Sequence, residues 1–125
     1  MVRGRQVRLK LGEQVIIDEG RTGWGNTLAL TNKRLLILER DNIIGETSLE
    51  NISNAYAETH FLTNLTQLKI KLKDGREMSV IFRRSSNGLL YGDPEHADLD
   101  IINLTNRYVE AINRAIGGQM PAKEA

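Results

Sequence analysis

The chain has 125 residues and 14.1 kDa, the size of one domain. Zero Cys excludes a disulfide scaffold, a thiolate metal site and a Cys nucleophile, and two His are too few for a three-His metal centre. Lys+Arg 17 against Asp+Glu 16 leaves +1, so no net charge draws the whole chain to nucleic acid or acidic lipid, and no apolar run approaches the ~18 residues of a membrane helix.

Residues 1–10 carry Arg3, Arg5, Arg8 and Lys10 and no acid. The stretch is too short and polar for a secretory signal. It holds no aromatic on which a base would stack, so it reads as a solvated arm and nucleic acid is not an expected partner. The domain then spans residues 11–118. Residues 119–125, small and polar, form a tail expected to fray.

Short apolar segments divided by turn residues come after the arm. Residues 13–19, with Val15, Ile16 and Ile17, suit a strand. Residues 20–26 hold three Gly around Trp24 and read as a loop. Residues 27–31 alternate, with Leu28 and Leu30 on one face. A two-residue turn at Asn32 and Lys33 leads into a strand over 34–40, pairing Leu30 with Leu35 and Leu28 with Ile37. That places Leu36 and Leu38 on the outer face, as an exposed apolar patch or as a strand buried on both sides. Further strands are expected over 43–48, 52–59, 65–72 and 76–83. Seven strands at this spacing predict an antiparallel sandwich or barrel.

The last hairpin is a test of register. A two-residue turn at Asp74 and Gly75 mixes apolar and polar faces. A three-residue loop of Lys73, Asp74 and Gly75 pairs Leu72 with Arg76, Ile70 with Met78 and Leu68 with Val80, and sets Lys71 opposite Glu77. A one-residue slip reverses every side chain, so the pattern selects the second register. It requires Gly75 in a left-handed conformation.

A terminal helix is the clearest element. Asp93 is a capping residue ahead of Pro94 at the first helical position. Ala97, Ile101, Leu104, Tyr108, Ile112 and Ala115 recur at three and four residues and make one face apolar. Gly117 and Gly118 stop the helix. About 23 residues give a rod of ~34 Å, long enough to seal a small barrel. The fold class is therefore mainly β with one C-terminal α-helix.

Several phrases resemble the pleckstrin-homology superfold, in its GRAM-like and bacterial or archaeal PH-like branch. Gly12-Glu13-Gln14-Val15 resembles the GE-x-V opening of those domains. The run from Leu28 through Thr31, Asn32, Arg34 and Leu35 resembles their LxLTNxRL hairpin. Leu49 to Ile52 resembles the next step, and Leu72-Lys73-Asp74-Gly75 the late LKDG turn. The GLUE domain of the endosomal sorting machinery shares the superfold. The resemblance implies a seven-stranded half-open barrel capped by the helix, and a binding module that is not an enzyme. The absence of Cys fits a cytoplasmic setting, in which contact with a membrane would be peripheral, and no cofactor or metal is expected.

In that family three strand-connecting loops surround one end, where many members bind phosphoinositides. The corresponding loops here supply Arg21 and Trp24, then Arg40, then Lys73 and Arg76 as candidate ligand-binding residues. Lipid-binding members cluster several cations in the first loop, whereas this one has Arg21 alone. The expected activity is thus recognition of a protein partner or weak contact with a membrane surface. A specific phosphoinositide or phospholipid headgroup reader, in membrane trafficking, is the alternative. Leu36, Leu38, Phe61 and Leu62 are candidate protein-interface residues, and a homo-oligomer is compatible with them. Catalytic signals are thin. His60 and His96 are far apart in sequence, and Asp98 and Asp100 point different ways on a helix.

Overall fold

A computed structural model describes residues 8–60, 62, 65–83 and 94–117, with helix side chains from residue 100 onward. Its strands are β1 (Val15–Arg21), β2 (Thr27–Thr31), β3 (Arg34–Glu39), β4 (Asn42–Ser48), β5 (Ile52–His60), β6 (Leu65–Leu72) and β7 (Glu77–Val80). A 3₁₀ turn at Leu49–Asn51 separates β4 from β5, and the helix α1 is Pro94–Gly117. Two antiparallel sheets result, one in the order β1-β2-β3-β4 and one in the order β5-β6-β7. Past β7 the chain reaches the end of β1. Thr22 bridges Phe82, the Gly23 N–H donates to the Ile81 carbonyl at 2.9 Å, and the Arg83 N–H donates to the Arg21 carbonyl at 2.9 Å. This seam joins the two sheets at one corner.

Both hairpins have the register that apolar alternation demands. Leu30 pairs with Leu35 and Leu28 with Ile37. Leu68 pairs with Val80, Ile70 with Met78 and Lys71 with Glu77. Gly75 has φ +96°, a conformation that only a residue without Cβ takes freely, and its N–H donates to the Leu72 carbonyl at 3.0 Å. The expected Lys71–Glu77 attraction is replaced: Glu77 accepts the Tyr56 hydroxyl at 2.5 Å. That bond pushes the phenol up to about 12, since ionising it would set two negative charges side by side.

The inward residues Leu28, Leu30, Leu35, Ile52, Leu68, Ile70 and Phe82 form one core with Tyr108 and Ile112 of α1. Fully burying each such aliphatic side chain contributes ~1.5–3 kcal/mol, which makes this contact the main support of the fold. Leu104 and Ala115 pack at its margin, and Ile101 is half-buried. The buried line on the helix also includes Thr105, whose hydroxyl donates to the Ile101 carbonyl at 2.8 Å and so hides its polarity. The expected roles of Asp93, Ala97 and Gly118 lie outside the described residues.

Tyr108 fixes the angle of the seal. Its hydroxyl donates to the Leu28 carbonyl and accepts the Gly20 N–H at 2.9 Å, while its ring lies 4.8 Å from that of Phe82. Burial pushes its pKa upward. Gly20 is required there because a Cβ would come within 2.4 Å of Phe82 Cε1 and 2.9 Å of Tyr108 Cε1. Close backbone approach, not loop flexibility, explains this glycine, and β1 continues through it to Arg21.

The patch expected at Leu36 and Leu38 is not exposed. Both are 1% accessible and form a second small core with Ala29 and Ile43. Strand alternation puts Arg34 on the same face. Arg34 carries the segment before β1 across that end, its guanidinium reaching both Glu13 and the Arg8 carbonyl. The four-residue apolar run is therefore a strand buried on both sides, the second of the two expected arrangements, and Leu36 and Leu38 present no surface to a partner.

Candidate functional site

Charged residues gather at two places with opposite character. At the first, Glu13 and Arg34 form a buried pair. Arg34 Nε donates to Glu13 Oε2 at 2.9 Å and Nη2 to Oε1 at 3.1 Å, a two-pronged contact. Its Nη1 reaches Glu46 at 2.7 Å. The Thr31 hydroxyl and the Lys10 N–H add bonds to the same Glu13 carboxylate, at 2.5 and 2.7 Å. Asn32 ties the neighbouring backbone, donating to the Gly12 carbonyl at 3.1 Å and accepting the Gln14 N–H at 2.7 Å. Burial alone would raise the Glu13 pKa. The bonds from Arg34, Thr31 and Lys10 outweigh it and hold the carboxyl at about 2. The GE and LTNxR phrases thus encode a clasp between the segment before β1 and the β2–β3 turn. Its polar groups are spent on one another, and no ligand is needed to satisfy them.

The second place is the β1–β2 end. The loop over 22–26 is closed by its own backbone: the Thr22 N–H donates to the Asn26 carbonyl at 2.8 Å and the Gly25 N–H to the Thr22 carbonyl at 2.9 Å. Gly25, at φ +92°, makes the reversal. Trp24 at the tip is 90% accessible and does not fold back on the barrel. Arg21, Trp24 and Arg40 line one cleft of about 420 Å³ together with Glu39 and Asp41. Two cations against two carboxylates leave that cleft without net charge.

On the outer side of the seam the balance differs. The Thr22–Phe82 bridge and the Arg83-to-Arg21 backbone bond put Arg21 and Arg83 opposite each other on one face. Ile81 lies two residues along the same face and is exposed. Both arginines are exposed, and no described carboxylate pairs with either. Like charges so placed repel, so an anion supplied from outside gains more here than at an isolated arginine. Sequence reading missed Arg83, because only the tertiary seam brings it beside Arg21.

The other two candidates are elsewhere. Lys73 and Arg76 line a separate cleft of about 410 Å³ with Glu46, Asn51 and Asp74. It adjoins the far end of β4, roughly 16 Å along that strand from the β3–β4 turn. Arg76 already pairs with Asp74 at 2.7 Å, and its N–H and guanidinium hold that carboxyl below its usual range. The single rim of three loops therefore divides into two unconnected clefts. Leu62 is exposed, whereas Phe61 lies outside the described residues. Among the described residues no group of His, Asp and Glu has the arrangement of a metal site. His60 is exposed at the end of β5, and the His96 side chain lies outside the described residues.

Two antiparallel sheets sealed by one C-terminal helix make a fold of the pleckstrin-homology-like kind. The chain is similar in structure to the Vps36 N-terminal PH domain, with a TM-score of 0.64 and 18% identity over 92% of this chain and 87% of that one. No protein-family model and no curated protein sequence matches it. Among the described residues no helix is long and apolar enough to cross a membrane.

Proposed function

We propose that the chain is a non-enzymatic binding module that docks weakly on anionic membrane surfaces through its β1–β2 end. The carrying observation is an exposed Trp24 on a hydrogen-bonded loop beside Arg21 and Arg83, neither of which has a described carboxylate partner. Trp is suited to the membrane–water interface, where its ring and its N–H are both accommodated. Each arginine near an acidic surface contributes ~1 kcal/mol and loses it with added salt. The charge-balanced cleft behind the loop argues against tight capture of a polyphosphorylated headgroup.

Vesicle sedimentation tests this reading. Phosphatidylserine-containing vesicles should pellet the protein at low salt and release it as salt rises. Trp24→Ala and the double variant Arg21→Ala/Arg83→Ala should each abolish pelleting, and phosphoinositide should act only in proportion to its charge. Absence of pelleting at low salt sinks the reading. Trp24 then anchors a protein partner, for which rigid exposed aromatics are well suited.

A further inference from the structure

β5 is the outer strand of its sheet, and among the described residues no strand pairs with its other edge. At Ala55 that edge is occupied by a side chain. Asn113 of α1 accepts the Ala55 N–H at 2.9 Å and donates to the Ala55 carbonyl at 2.8 Å, the two bonds a neighbouring strand would make. Strand alternation then fixes the direction of the next backbone groups. Tyr56, Glu58 and His60 pair with Lys69, Gln67 and Leu65 of β6, so the N–H and C=O groups of Ala57 and Thr59 point outward like those of Ala55. Ala57 and Thr59 are exposed, and no described residue bonds those groups.

Protected edges carry a bulge, a proline or an inward charge. The irregularity in β5 lies at its other end, between Ile52 and Asn54, and residues 55–60 contain no proline. Two further features select an occupant. Beyond Thr59 the chain carries two exposed apolar side chains, Leu62 at 81% accessible and Leu65, the β6 partner of His60, at 40%. Glu110 and Asn106 precede Asn113 by three and seven residues, on the same helix face, and are exposed. No described cation pairs with Glu110, whereas Glu58 has Lys69 at 3.8 Å.

We propose that the edge of β5 from Ala57 to Thr59 is a strand-addition site for an extended segment of a partner protein. The segment brings an apolar residue toward Leu62 and Leu65 and a basic residue toward Glu110. Main-chain hydrogen bonds supply attraction, and the two side-chain contacts set register and direction. The site is independent of the β1–β2 end.

The test uses the full chain as bait for a random-peptide library displayed on phage, with anisotropy titration of the enriched peptides after synthesis. Enriched sequences should combine alternating apolar positions with a Lys or Arg. Ala57→Pro removes an outward N–H and leaves the β5–β6 ladder whole, so it should weaken binding about tenfold without lowering Tm. Glu110→Lys, on the surface of α1, should weaken it severalfold and serves where the proline variant fails to fold. Bound peptide should slow amide exchange at Ala57 and Thr59. Peptides that bind both variants as tightly as the parent protein, or leave those two amides unprotected, overturn the proposal. So does a concentration-dependent dimer that Ala57→Pro abolishes, because a second copy then occupies the edge.

Discussion

The clasp at Glu13 and Arg34 and the seam at Arg21 and Arg83 contain the same residue types in opposite states. In the clasp, one guanidinium meets two carboxylates and a carbonyl and is almost removed from water. At the seam, two exposed arginines stand opposite each other in the backbone pairing with no described carboxylate partner, at the base of the loop that exposes Trp24. Removing one member of a buried pair strands the other, whereas removing an exposed arginine leaves only water behind. The clasp should therefore control stability and the seam should control binding.

The largest effect expected is from Arg34→Ala, which leaves Glu13 buried without its main partner. It should cost about 3–5 kcal/mol in urea unfolding. A cost below about 1 kcal/mol would erase the contrast between the two places.

Acid should act in the same direction. Glu13 titrates at about 2 when folded against an ordinary 4.5. Between those values the unfolded chain takes up a proton that the folded chain refuses. Stability from this group is complete above about pH 4.5 and is lost as pH falls toward 2. Glu13→Gln should flatten that part of the profile, whereas Arg21→Ala and Arg83→Ala should leave it unchanged.

A smaller loss is expected from Tyr108→Phe, which keeps the ring against Phe82 but leaves the Gly20 N–H and the Leu28 carbonyl unsatisfied. About 1–3 kcal/mol should be lost, read as a lower midpoint at unchanged m-value. Gly20 begins the path to the seam, so the same variant sharpens the comparison by asking whether loosening the seal also weakens vesicle pelleting.

The smallest expected change in stability is from Trp24→Ala, within about 0.5 kcal/mol by thermal unfolding. A larger loss would mean that Trp24 belongs to the fold, and would remove the reason to assign it to a surface.

Alternation and turn chemistry were enough to fix the seven strands, both hairpin registers, Gly75 and the helix carrying Tyr108 and Ile112. These depend on neighbours a few residues away, and a register error would turn whole apolar sets toward water. The signature phrases were also legible, but their role was not. Glu13 and Arg34 are 21 residues apart, and only the folded chain brings them together to neutralise each other. The same holds for Leu36 and Leu38, whose outer face is covered, and for Lys73 and Arg76, which sit in a different cleft from Arg21.

What the sequence by itself determined is local: which residues alternate, where the chain turns and which helix face is apolar. Tertiary structure alone decided which charges are satisfied within the protein and which remain for something outside it. A charge loses or keeps its need for a partner according to what long-range folding sets within a few ångströms of it, and Coulomb attraction at that range is invisible to periodicity.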